Sequence, residues 1–192
     1  MLTIVVLGEA ATQGSVKAVV NKNTGRPMVK KDNEKRQNEW RANVRDEVRR
    51  ARDGADPMEG PVVLAITITR PKPVSAPKRK PSWPWKKPDW DKLARAISDG
   101  LKDGGAYKDD AQVVRGMVTK SYPLSSSGGF EALLLYTGDD PAHMLQLWEF
   151  PELDVLNIPG VVIRLAHLTE FPRIRKQLAE AGYEPKDITG GW

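Results

Sequence analysis

No cysteine occurs in the 192 residues, which excludes disulfides, thiolate zinc sites and cysteine nucleophiles. Histidine is almost as scarce: His143 and His167 are the two, with no ligand-type pattern joining them. Most zinc enzymes and His-dependent triads are thereby removed, and both histidines read as surface or packing residues. The apolar runs fall far short of the roughly 18 residues that suggest a membrane span. The first residues, Met1 to Glu9, lack the basic start and small-residue cleavage site of a signal peptide. A soluble, cytoplasmic chain without a membrane partner is the expectation. Its 40% apolar content suffices for a core, and its length suits one domain with room for an appendage.

What the chain does have is positive charge, unevenly placed. The net charge is +5. Through Leu124 there are 25 Lys/Arg against 15 Asp/Glu, and from Ser125 onward five against ten. A basic body thus precedes an acidic appendage. A basic surface concentrates polyanions, of which nucleic acid is the usual one, although a solvated Lys/Arg surface that binds nothing is about as common.

Leu2–Leu7 reads as a buried strand. Val19-Val20 and Met28–Lys30 flank the turn-forming Asn21–Pro27 and read as a hairpin. Asp32 or Asn33 can cap a helix over Glu34–Arg52, in which Trp40, Val44, Val48 and Ala51 make an apolar stripe. Arg41, Arg45, Arg49 and Arg52 run beside it. No acid lies four residues before any of them, so the row is expected to be unpaired and available for phosphates.

Val62–Arg70 reads as a strand. Arg70–Pro88 follows, rich in proline and lysine, acid-free, and carrying Trp83 and Trp85. Proline cannot join a sheet interior or continue a helix, so this is an extended loop. Lys78, Arg79, Lys80, Lys86 and Lys87 interleaved with the tryptophans suit contact with a DNA backbone and stacking on bases. Trp90–Lys102 reads as an amphipathic helix through Leu93, Ile97 and Leu101, ending near Gly104-Gly105. Ala111–Lys120 and Phe130–Thr137 read as strands joined by the Leu124–Gly129 loop. Leu145–Phe150 and Gly160–Leu165 are strand-like, and Thr169 can cap a helix to about Ala181.

Acidic residues flank the second helix: Asp89 and Asp91 at its start, Asp109-Asp110 beyond its end. Singly, each is explained as a cap or a turn residue. Together they admit another reading. Residues two apart in extended chain face the same way, and the glycine turn could return Asp109 or Asp110 to the same cluster. Crowded carboxylates repel unless a cation joins them, and a ligand set of oxygens alone suits Mg²⁺ or Mn²⁺. Beside a phosphate-attracting surface, such an ion serves phosphodiester hydrolysis.

The segment Lys87-Pro88-Asp89-Trp90-Asp91-Lys92-Leu93, followed by Asp99 and by Asp109-Asp110-Ala111-Gln112-Val113-Val114, resembles the signature of the RusA-type Holliday junction resolvases: D-x-D-N-L-x-K, a further helical Asp, then D-D-x-Q-V. Gln13-Gly14-Ser15-Val16-Lys17 resembles a Q-G-x-x-[KR] segment of phage and prophage members. The resemblance covers about Leu2 to Thr137. It implies a small α/β fold of mixed α+β type, a mixed sheet flanked by two helices over residues 1–137, with 138–192 as an acidic α/β extension. It also implies a homodimer and a Mg²⁺-dependent endonuclease that cuts four-way DNA junctions in recombination and repair. By position, Asp89, Asp91 and Asp110 match the catalytic carboxylates, with Asp109 adjacent as a further metal-site residue. The family's catalytic lysine falls on Arg95, and Lys92 replaces the usual Asn, adding a DNA-facing charge. Arginine keeps the charge for a phosphate but does not readily give up a proton.

Overall fold

A computed structural model describes residues 1–12, 16–31, 34–77, 82–123 and 154–182. The expected strands Phe130–Thr137 and Leu145–Phe150, the loop before the first of them, His143, Lys78, Arg79, Lys80, the capping pair Asp32/Asn33 and the Gln13-Gly14-Ser15 segment lie outside the described residues.

The elements are β1 (Leu2–Leu7), β2 (Val16–Val20), β3 (Pro27–Lys31), α1 (Glu34–Arg52), β4 (Val62–Thr69), α2 (Trp90–Gly104), β5 (Val113–Ser121), β6 (Gly160–His167) and α3 (Pro172–Glu180), with 3₁₀ turns at Asp110–Gln112 and Leu168–Glu170. β2 and β3 form the expected hairpin. The main sheet has the order β1-β6-β4-β5. β6 runs antiparallel to both β1 and β4, while β4 and β5 are parallel. This is a mixed α+β fold, as expected.

Gly160–His167, assigned from sequence to the extension, is hydrogen-bonded on both sides within this sheet. Its run of apolar β-branched residues suits the position, since a central strand covered on both faces reads as continuous hydrophobic chain. All eight residues of β4 are buried for the same reason. One face of the sheet, through Ile4, Leu64, Ile66 and Ile163, packs against α1 and α2. On the other face Val63 and Ala166 meet Phe171 and Leu168. There Arg164 is 2% exposed and forms a bidentate pair with Asp154 at 2.6 and 2.7 Å.

α1 buries Trp40, Val44 and Val48 as expected, but Gln37 completes the stripe and Ala51 is exposed. α2 buries Leu93, Ile97 and Leu101, and Gly105 ends it in the left-handed conformation at φ 77°. The two helices touch through α2 glycines. A Cβ on Gly104 would stand 2.5 Å from Val48 Cβ and 2.9 Å from the Arg45 carbonyl oxygen. In an open helix Gly→Ala gains about 1 kcal/mol. Here the contact with backbone and a β-branched carbon reverses the sign, and Gly104→Ala is expected to cost about 1–3 kcal/mol by overpacking. An unchanged or raised urea midpoint for this variant overturns that account of the helix contact.

Beyond β6, His167 rather than Thr169 caps the 3₁₀ turn: its Nδ1 accepts from the Thr169 amide at 3.2 Å. The following helix begins only at Pro172, because proline suits a first helical turn and not an interior.

Candidate active site

α2 positions one acidic pair. Asp89 occupies its N-cap in extended geometry, yet the carboxylate makes no capping hydrogen bond. It faces Lys92 Nζ instead, at 3.2 Å. An Asp at this position ordinarily caps free amides, so the cap reading does not hold for Asp89. Asp91 is exposed in the first turn. Arg95 follows one turn later and is exposed as well, on the same side of the helix as Asp91 by its i+4 spacing.

The backbone leading to Asp89 is held from below. Lys120, on β5, donates to the carbonyl oxygens of Pro88 at 3.0 Å and Lys86 at 3.5 Å. Burial lowers its pKa, as does nearby Arg70, while the Asp89 charge opposes the shift. Arg70, at the end of β4, donates to the Lys87 carbonyl oxygen at 2.9 Å. The sequence reading missed both residues. Their signal was weak: each is a basic residue that closes an apolar strand at the end where α2 begins.

A second acidic pair sits at the far end of α2. Asp109 caps the 3₁₀ turn, accepting from the Ala111 amide at 3.0 Å, and it pairs with Lys102 at 2.7 Å. The Lys102 ammonium, with the amide bond, holds the Asp109 carboxyl down to about 2. For Asp109 the turn explanation therefore stands. Gln112 explains its own place in the motif: Nε2 donates to the carbonyls of Met58 and Gly60 at 3.0 and 2.9 Å, while Oε1 accepts from the amides of Lys108 and Asp109 at 2.8 and 3.0 Å. This side chain clamps the turn that presents Asp110, which is exposed.

The two pairs are not brought together within one chain. Among the described residues no group of three or more His, Cys, Asp or Glu is arranged to hold a metal ion. The expectation that the return from α2 carries Asp109 or Asp110 back to Asp89 is thereby corrected. The Lys102 contact places Asp109 near the C-terminus of the helix, and 15 helical residues span about 20 Å at 1.5 Å per residue. β5 gives a second ruler. Asp110 precedes its first residue, whereas Lys120, near its last, reaches the backbone at Asp89.

The arginine row also differs from expectation. Arg41 forms a bidentate pair with Asp103 of α2, with Nη2 to Oδ1 at 2.8 Å, and lies 3.7 Å from Asp99. Its guanidinium holds the Asp103 carboxyl below the usual range. Arg45 pairs with Asp46 at 2.8 Å, and Arg52 donates to the Gly104 carbonyl oxygen at 3.1 Å. Arg49 adds its charge near Asp46 and Asp103. The row is therefore not unpaired: three of its members hold acceptors, two of them on α2, which no search along α1 could reveal. Trp83 and Trp85 are 69% and 82% exposed, with the Lys86 ammonium 5.5 Å from the Trp85 ring centre. Lys87 is exposed beside them.

Oxygen-only acidic groups in a basic α+β domain are the equipment of an enzyme that works on the phosphodiester backbone of nucleic acid. The family model of endodeoxyribonuclease RusA matches residues 13–127, more than half of the chain, and the chain belongs to this family. It is an endodeoxyribonuclease of the Holliday junction resolvase class. The matched stretch ends before β6, although β6 lies in the middle of the sheet. Comparison with curated proteins gives no match. Among the described residues no helix is long and apolar enough to cross a membrane.

Proposed function

We propose that the chain resolves four-way DNA junctions as a Mg²⁺-dependent homodimer, cutting two strands symmetrically in recombination and repair in the cytoplasm. The observation that carries this reading is Asp89: it holds a capping position without capping, exposed beside Asp91 at the start of α2. The donor set fits the ion, since hard divalent cations take carboxylate oxygens and demand no nitrogen or sulfur. Mn²⁺ is an acceptable substitute on the same grounds.

The separation along α2 supports the dimer. With about 20 Å of helix between the acidic pairs, the site of one protomer is completed by a second chain. Asp89 and Asp91 of one protomer and Asp110 of the partner subunit would hold the ion. When bound, it would activate water and stabilise the leaving oxygen. Asp109, already engaged by Lys102 and the Ala111 amide, supports the turn and is not needed as a ligand. Arg95 supplies positive charge to the scissile phosphate without moving a proton, since a guanidinium does not readily give one up. Lys92 offsets the Asp89 charge and contacts backbone when DNA arrives. Lys120 and Arg70 hold the backbone that aims Asp89. A two-fold dimer places two such sites in matching orientation on a two-fold substrate. The basic Trp83–Lys87 loop, with Lys78, Arg79 and Lys80, and the exposed side of the arginine row grip the DNA.

The test is incubation of the full chain with a labelled four-way junction and a matching linear duplex, with Mg²⁺ or with chelator. Junction cutting that requires Mg²⁺ is expected. Equal cutting of the linear duplex overturns the junction preference, and full activity in chelator overturns the metal requirement.

A further inference from the structure

Beyond the start of α2, the segment between β4 and α2 encloses a cavity of about 530 Å³. That volume lies within the roughly 300–1,000 Å³ of sites that take compact ligands. Its walls include Arg70, Ser82, Trp83, Trp85, Lys86 and Tyr122. None of its described lining residues is acidic, so the site favours an anionic ligand. Two tryptophans left largely in water are costly on a free surface and are explained by a flat partner that covers them. The cavity is tied to the acidic start of α2, because Arg70 donates to the Lys87 carbonyl two residues before Asp89.

We propose that this cavity receives one unstacked nucleobase from the open centre of the junction, stacked against Trp83 or Trp85, with its phosphate held by Lys86. The assignment rests on the nuclease reading given above and adds what that reading lacks, a place where the enzyme holds an unpaired base beside the scissile strand. Bases everywhere carry a π-face, so stacking serves any sequence. A base leaves the helix at least cost where its stacking is already interrupted, and the pairs at the centre of an opened four-way junction lack a stacked neighbour on one side.

The experiment measures equilibrium binding of the full chain, in chelator so that nothing is cut. The probes are a fluorescently labelled four-way junction, the same junction with abasic nucleotides at the crossover, and a linear duplex. Wild type is expected to bind the intact junction about tenfold more tightly than the abasic one, the loss of one base–aromatic stack. A variant with Trp83→Ala and Trp85→Ala is expected to bind the intact junction about tenfold more weakly than wild type and to show no further loss on the abasic junction. Trp83→Phe with Trp85→Phe restores most of the difference. Both tryptophans are exposed, so the melting curve of each variant is expected to match that of wild type. If wild type prefers the junction to duplex yet ignores the abasic change, the base pocket is overturned and the junction reading stands. If the alanine variant binds the intact junction within twofold of wild type, the pocket is overturned in the same way. If wild type fails to distinguish junction from duplex, the junction reading falls and the pocket with it.

Discussion

Mixing Asp89→Asn protomers with Asp110→Asn protomers is expected to restore DNA nicking that neither variant shows alone. Each change removes one carboxylate from the proposed metal site. Losing a share of several kcal/mol of charge stabilisation corresponds to a rate fall on the order of 10³-fold. The logic of mixing follows from the length of α2. If each site takes Asp89 and Asp91 from one protomer and Asp110 from the partner subunit, a mixed dimer has one site with both changes and one with neither. Random exchange then leaves about one quarter of all sites intact, one in each mixed dimer. Such a dimer nicks one strand and does not resolve the junction, so nicked product accumulates without the paired cut. Persistent inactivity of a mixture in which subunit exchange is demonstrated means that each site is built within one chain, and the shared site is wrong. Binding of the intact junction is expected to survive in both single variants, because the basic loop and not the carboxylates supplies the attraction for phosphate.

Asp154→Ala is expected to be the most damaging single change outside the site. Asp154 and Arg164 are 3% and 2% exposed and bonded twice. Truncating the aspartate strands a guanidinium on the covered face of the central strand β6, with a 3.3 Å bond to Thr3 Oγ1 remaining. Breaking a buried pair in this way typically costs about 3–5 kcal/mol, a large part of the 5–15 kcal/mol that holds a domain together. The urea midpoint is expected to fall accordingly, with β1, β6 and β4 losing protection together. Replacing both partners by apolar residues, Asp154→Leu with Arg164→Met, is expected to recover most of the loss, since an apolar pair of similar volume carries no stranded charge. A fall of less than about 1 kcal/mol for Asp154→Ala overturns the structural importance given to the pair.

Much of the local structure was legible in the residues. The span of α1 agrees with its capping and stripe signals, and α2 runs from Trp90 to a glycine end because Leu93, Ile97 and Leu101 recur at helical spacing. The β2–β3 hairpin follows from the turn residues between two short apolar runs. These readings depend on interactions within about four residues, which a sequence displays directly. The acidic motif was equally visible, and with it the family.

What remained hidden depends on residues far apart in the chain. Arg41 looked unpaired because its partners, Asp103 and Asp99, lie on another helix. β6 looked like part of an appendage because nearly forty residues separate it from β5, yet it sits between β1 and β4. In the sequence Asp89 carried a capping explanation and Asp109 a turn explanation, and only the structure decided on each: Asp109 holds its turn and Asp89 caps nothing. By itself, then, the sequence determined the helices, the hairpin, the acidic motif of the family and the excess of basic charge, all of which rest on residue type and short-range spacing. The tertiary structure alone decided which arginines are engaged, which aspartate is left uncapped, and that one chain holds its acidic pairs at opposite ends of α2. The physical reason is that a rigid helix keeps its two ends apart whatever motif the residues at those ends compose.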